Sequence, residues 1–128
     1  MKYLLDTHIW LWSLLQPENI NAEIVAILID ESSELFISPI SLWEILILAE
    51  KGKIELRPTP EAWIAEALER SPVKEAVLTH AIAISSRTLE LPHQDPADRF
   101  IAATALVNDM KLLTADKRLR DAPQITTP

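Results

Sequence analysis

The chain has 128 residues, a length typical of one domain that can bury a core without staples. It has no cysteine and one glycine, which excludes disulfide frameworks, thiolate metal sites, cysteine nucleophiles and glycine-rich phosphate loops. Twelve basic against 19 acidic residues give a net charge of −7, the wrong sign for a protein gripping nucleic acid through phosphate contacts alone.

The predicted elements alternate. Residues 2–6 are a short apolar run closing on Asp6 and read as a buried strand. Residues 8–15 read as a helix stopped by Pro17. Residues 21–31 set Ile24, Ile27 and Leu28 at helical spacing behind Asn21 as N-cap. Residues 35–38 read as a second strand ended by Pro39. Ser41 is predicted to open a helix to about Lys51, with Gly52 as its C-terminal stop. Thr59-Pro60 starts a helix to about Arg70. Residues 73–77 form a candidate third strand, and Thr79 caps a helix through about Leu89. Residues 97–108 place Ala97, Ile101, Ala102, Ala105 and Leu106 on one helical face. Residues 111–114 read as a strand, and 124–127 as a short edge strand. Short apolar strands alternating with helices predict an α/β fold with a parallel sheet covered on both faces. The N-terminus lacks the apolar stretch of a signal peptide, and no run reaches the roughly 18 residues of a membrane span, so the expectation is a soluble cytoplasmic protein with no membrane partner.

A parallel sheet puts its sites at the carboxyl ends of its strands. That makes the acids informative. Asp6 ends the first strand, Glu44 lies early in the helix after the second, Asp95 and Asp98 start the 97–108 helix, and Asp116 follows the 111–114 strand. Gathered at one edge, they would repel without a counter-charge. An all-oxygen site suits Mg²⁺ or Mn²⁺, which can polarise a phosphoryl oxygen and activate water. Arg99 interrupts these acids and, with Lys117 and Arg118, is a candidate for phosphate contact or merely a surface charge. Each acid also has a plainer reading. Ser41 and Glu44 fit a capping box, Asp95 and Asp98 suit a helix N-terminus, and Asp116 can turn a loop. Asp6 is hardest to dismiss, since an acid closing a buried strand needs a partner. His8, His80 and His93 lack metal-ligand spacing and read as structural or solvated. Trp10, Trp12, Trp43 and Trp63 read as core or interface residues, and Ser13, Ser38 and Ser41 lack the setting of a serine hydrolase.

Four blocks carry a resemblance: L-L-D-T-H-I-W-L-W at 4–12, S-P-I-S-L-W-E-I at 38–45, D-P-A-D-R-F-I-A-A-T-A at 95–105 and L-L-T-A-D at 112–116. In this order and spacing they resemble the PIN-domain family, specifically VapC-like toxins of type II toxin–antitoxin pairs. The resemblance spans residue 2 to about 120, and the chain reads as a single PIN domain over 1–128. It implies a three-layer α/β/α sandwich around a parallel sheet. It implies a Mg²⁺- or Mn²⁺-dependent endoribonuclease that hydrolyses RNA phosphodiester bonds with activated water. Carried over motif by motif, the catalytic and metal-holding acids are Asp6, Glu44, Asp98 and Asp116. Thr114 matches the hydroxyl of the T-x-D block and would orient a carboxylate or water. Asp95 belongs to the D-P-x-D-R variant and supports the site or starts the helix. The family further implies a homodimer and a cognate antitoxin that covers the site groove, often with a basic side chain in the acidic pocket. The apolar segments 8–15 and 41–50 suit either such partners or this domain's own core.

Two other readings stand beside the nuclease. One is a catalytically silent PIN-like module that only binds a protein partner. The other is phosphoryl transfer through Asp6, but a haloacid-dehalogenase-like enzyme wants a second aspartate two residues on, where His8 stands.

Overall fold

A computed structural model describes residues 1–128. Strands β1 (Lys2–Leu5), β2 (Glu34–Ile37), β3 (Val73–Glu75) and β4 (Lys111–Leu113) form one sheet, all parallel, in the order β3-β2-β1-β4. The helices are α1 (Thr7–Leu15), α2 (Ala22–Ile29), α3 (Pro39–Glu50), α4 (Pro60–Arg70), α5 (His80–Thr88), α6 (Pro96–Val107) and α7 (Lys117–Arg120), with a 3-10 turn at Pro17–Asn19. The chain is an α/β sandwich, as the alternating pattern predicts.

Residue alternation along the strands divides the core. Leu4, Phe36 and Leu112 pack with Ile82, Ile101 and Leu119 beneath α5 to α7. Leu5, Leu35, Ile37 and Leu113 pack with Ile9, Trp10, Ile24, Ile45 and Ile64 beneath α1 to α4. A strand buried on both faces must be apolar there, which is why β1, β2 and β4 carry short apolar runs, whereas the edge strand β3 reads Val-Lys-Glu and is largely exposed. The strand order turns back between β1 and β4, the crevice where a parallel sheet opens for a ligand.

Local chemistry sets most boundaries. Asn21, Thr59 and Thr79 cap α2, α4 and α5 through their side chains, as predicted. Gly52, at φ +71°, ends α3: its N–H bonds Ala49 O and the next N–H bonds Leu48 O, both at about 3 Å.

Three expectations change. The helix expected at Ser41 begins at Pro39, with Ser38 as N-cap, its hydroxyl oxygen accepting from Ile40 N–H at 3.1 Å. Proline suits the first helical position because its missing N–H needs no partner there. The predicted edge strand at 124–127 does not form. Ile125 N–H turns back to Ala122 O, and only Leu112 N–H to Thr126 O joins the tail to the β4 edge. Finally, the apolar helices are less covered than their composition suggests. In α3 only Ser41 and Ile45 are fully buried, Trp43 is 50% exposed, and Leu14 and Leu15 at the end of α1 are also exposed. No helix is long and apolar enough to cross a membrane.

Candidate active site

The strand ends deliver the acids to one pocket. Asp6 follows β1 directly and caps α1, and its backbone N–H bonds Leu113 O at 2.9 Å, tying the ends of β1 and β4. Asp6 is 8% exposed. Its Oδ1 accepts from Thr7 N–H at 2.9 Å and its Oδ2 from the Thr114 hydroxyl at 2.6 Å. Thr114 Oγ1 in turn accepts from Asp116 N–H at 3.0 Å. One hydroxyl thus orients the β1 carboxylate and shapes the loop carrying the β4 acid. Burial pushes the Asp6 carboxyl above its ordinary range, against the pull of these hydrogen bonds.

Glu44 sits in the second turn of α3, half-buried. The Ser41–Glu44 capping box does not form, because Ser38 takes the cap. Ser41 instead accepts a buried hydrogen bond from the Thr7 hydroxyl at 2.9 Å, which pins the start of α1 to the start of α3. That contact, invisible to local sequence rules, brings Glu44 toward Asp6. Burial pushes the Glu44 carboxyl up, the Thr7 side chain pulls it back, and the charges of Asp6 and Asp95 raise it further.

Asp95 caps α6, its Oδ1 accepting from Asp98 N–H at 3.1 Å. Asp98 occupies the first turn, where its carboxyl is pushed up to about 6, first by burial, then by the charges of Asp6 and Asp95. Asp116 caps α7. It runs the other way: the Arg118 guanidinium holds its carboxyl below the usual range. Arg118 Nη2 lies 2.9 Å from Asp116 Oδ2 and 3.7 Å from Asp98 Oδ2.

Asp6, Glu44, Asp95, Asp98 and Asp116 line a single cavity of about 420 Å³, with His8, Trp12, Ala115 and Arg118 completing the wall. Five carboxylates face one guanidinium. The donors are all oxygen and the excess charge is uncompensated, which fits a hard divalent cation. As the side chains lie, no three acids close around one point, so coordination requires rotation of these carboxylates. Arg118 bridges two of them in the meantime.

Sequence reasoning placed Arg99 wrongly. Its side chain is 4% exposed and points away from the pocket into the α5–α6 connection. Nε donates to Ser86 O at 2.7 Å, Nη1 to Leu91 O at 2.8 Å and His93 O at 3.2 Å, and Nη2 to Leu89 O at 3.0 Å. Consecutive helical residues diverge by about 100°, so with Asp98 facing the cavity Arg99 must face elsewhere. With four of its five N–H groups committed to carbonyls and its side chain buried outside the cavity, this guanidinium is not placed to hold a phosphate there. Of the other cations, Lys117 pairs with Asp121 in solvent, and Arg118 alone lines the cavity.

Of the three histidines read as structural or solvated, His93 takes a structural place beside an acid of the cavity. His8 and His80 are exposed, but His93 Nε2 lies 3.0 Å from Asp98 Oδ2, and its Nδ1 is buried without a partner. It stands in a loop, where no helical spacing rule links it to an acid five residues on. The tryptophans divide. Trp10 is fully buried and packs edge-on against Trp63, Trp12 lines the acidic cavity, and Trp43 borders an apolar groove with Ile40, Leu78, Pro96 and Phe100.

The PIN domain family model matches residues 3–125. Ribonuclease VapC22 of Mycobacterium tuberculosis is 32% identical over 118 residues, spanning 91% of this chain and 88% of that protein. Among solved structures, VapBC2 from Rickettsia felis bound to a DNA fragment from their promoter aligns with TM-score 0.73 at 18% identity, covering 100% of this chain and 98% of the other. VapBC-1 from nontypeable Haemophilus influenzae aligns with TM-score 0.68 at 23% identity, covering 100% and 97%. At these identities the structural matches are matches of fold.

Proposed function

This chain belongs to the PIN domain family, and on that premise we propose that it is a metal-dependent endoribonuclease, the toxin of a VapBC-type toxin–antitoxin pair. The observation that carries the reading is the pocket itself. Five carboxylates from four separate segments line one cavity at the carboxyl edge of a parallel sheet. Burying like charges together is unfavourable, and a fold retains such an arrangement where a cation or a basic group offsets it. The 32% identity to a ribonuclease over most of both chains supports RNA as substrate.

Asp6, Glu44, Asp98 and Asp116 are the residues that would hold Mg²⁺ or Mn²⁺. When bound, the ion supplies Lewis-acid polarisation of the phosphate and acidification of water for in-line attack. The chain's own groups do the rest. Thr114 fixes the Asp6 carboxylate. Asp95 anchors the first turn of α6 and adds negative charge to the cavity. Arg118, half-exposed at the cavity wall and paired with Asp116, is the guanidinium that would meet an RNA phosphate, the contact for which Arg99 is not available.

The partner surface follows from the same wall. An antitoxin segment with a basic side chain would neutralise the carboxylates, and its apolar residues would fill the groove of Ile40, Trp43, Leu78 and Phe100. The partly uncovered apolar faces of α1 and α3 suit a homodimer.

The test is cleavage of a structured RNA by the purified chain free of antitoxin, in Mg²⁺, Mn²⁺ and EDTA, beside Asp6→Asn. Divalent-dependent cleavage that vanishes in the folded variant is expected. Equal activity of Asp6→Asn, or cleavage undiminished by EDTA, would overturn the mechanism. Folded protein that binds an antitoxin but neither cleaves RNA nor takes up Mn²⁺ would favour the silent interaction module.

A further inference from the structure

We propose that His93 is a positioning residue for the acidic site: from behind the cavity wall its imidazole fixes the orientation of the Asp98 carboxylate for the incoming cation. The inference rests on the metal-site reading above and extends it to a side chain outside the acidic set.

The geometry is specific. His93 Nε2 meets Asp98 Oδ2 at 3.0 Å, and each side chain is 13% exposed. Against an ionised carboxylate the imidazole nitrogen must be the donor. His93 does not line the cavity, so it cannot touch RNA there. It holds one oxygen of Asp98 from the protein side.

The surroundings make the ring a fixed reference. Arg99, the next residue after Asp98, bonds the carbonyls of Leu89, Leu91 and His93 itself. Two successive residues of α6 therefore grip the same loop. Arg99 holds the backbone of His93, and Asp98 receives its ring. A histidine serving packing alone would have both nitrogens satisfied, or would be replaced by an apolar residue. This one leaves Nδ1 buried and bare, and the ring's only hydrogen bond is to Asp98. Partners of this kind, which orient a ligand without touching the ion, are worth roughly 10–100-fold in metal affinity or activity.

The experiment compares His93→Leu with His93→Gln in the full purified chain. Leucine fills the site and removes both the donor and the bare nitrogen. Glutamine brings an amide N–H near the place of Nε2. Mn²⁺ affinity is measured by calorimetry at fixed pH, and thermal stability in parallel. His93→Leu is expected to keep or raise its melting temperature while binding Mn²⁺ on the order of 10-fold more weakly or worse. His93→Gln is expected to recover most of that loss. Unchanged Mn²⁺ affinity in His93→Leu overturns the proposal, as does an equal loss in both variants. Should His93→Leu not fold, His93→Asn replaces it, because the asparagine amide falls near Nδ1 and not Nε2. The wild-type titration separates the two levels. No Mn²⁺ uptake by the wild type brings down the metal site and the positioning together, whereas uptake indifferent to residue 93 brings down the positioning alone.

Discussion

Arg99→Met is the substitution with the most to say about how this site is built. Methionine keeps the length and apolar stem of arginine and removes five donors. In the structure those donors serve four carbonyls, of Ser86, Leu89, Leu91 and His93. A hydrogen bond from a charged donor contributes about 1.5–3 kcal/mol. The full sum is not lost, because the loop carbonyls can reach water once the loop loosens, and desolvating the guanidinium offsets part of the gain. A loss of about 3–5 kcal/mol is the expected result, large for one residue and diagnostic of a broken buried network. For a domain between the small and medium size classes this corresponds to roughly 10–20 °C in Tm. Urea unfolding followed by tryptophan fluorescence measures it, with an unchanged slope as the check that the end states are the same. Arg118→Met is the control, since its ion pair lies at the solvent-exposed cavity wall and should matter little for stability. If Arg99→Met loses less than about 1 kcal/mol while RNA affinity falls, the reasoning is refuted and Arg99 serves phosphate after all.

Asp98 holds its proton to about pH 6 in the folded chain, above the ordinary value of 3.8. Its contribution to stability is therefore complete below about pH 4 and is lost as pH rises through 6. Without metal, Asp98→Asn is expected to be more stable than the wild type at pH 7.5, with the gap closing toward pH 4; a less stable variant at pH 7.5 contradicts this. Mn²⁺ must displace the same proton, so binding should weaken as pH falls below about 6, with proton uptake by buffer visible in calorimetry at pH 6 in two buffers of different ionisation heat. Pure pH-independence between 5 and 7 would remove Asp98 from the ligand set. Gly52 stands at φ +71° with nothing within 4 Å of an added Cβ. Gly52→Ala should therefore lose about 1 kcal/mol from backbone strain alone, and Gly52→Asn less; a loss of several kcal/mol would mean a steric clash that the structure does not contain.

Much of this protein is legible in its sequence because the rules involved are short-range. Caps act over two or three residues, which is why Asn21, Thr59, Thr79 and Gly52 mark real helix ends. Strands buried on both faces must be apolar throughout, so the runs around Leu4, Leu35 and Leu112 predict a parallel sheet. Carboxylates at the ends of those runs then predict an acidic edge. The failures arise where local signals are equal and packing chooses between them. Ser38 and Ser41 both precede helical residues, and only the packing of α3 decides which one caps it and which one receives Thr7.

The acidic inventory, the parallel sheet and the family resemblance were settled by the amino-acid order alone, because periodicity, capping and motif spacing act along the chain. Tertiary structure alone decided that Thr114 serves Asp6 across 108 residues, that Arg99 turns from the cavity to the carbonyls behind it, and that His93 backs Asp98. The reason is geometric. One residue along a helix is a turn of about 100°, and whether that turn faces solvent, sheet or a neighbouring loop depends on how whole elements pack.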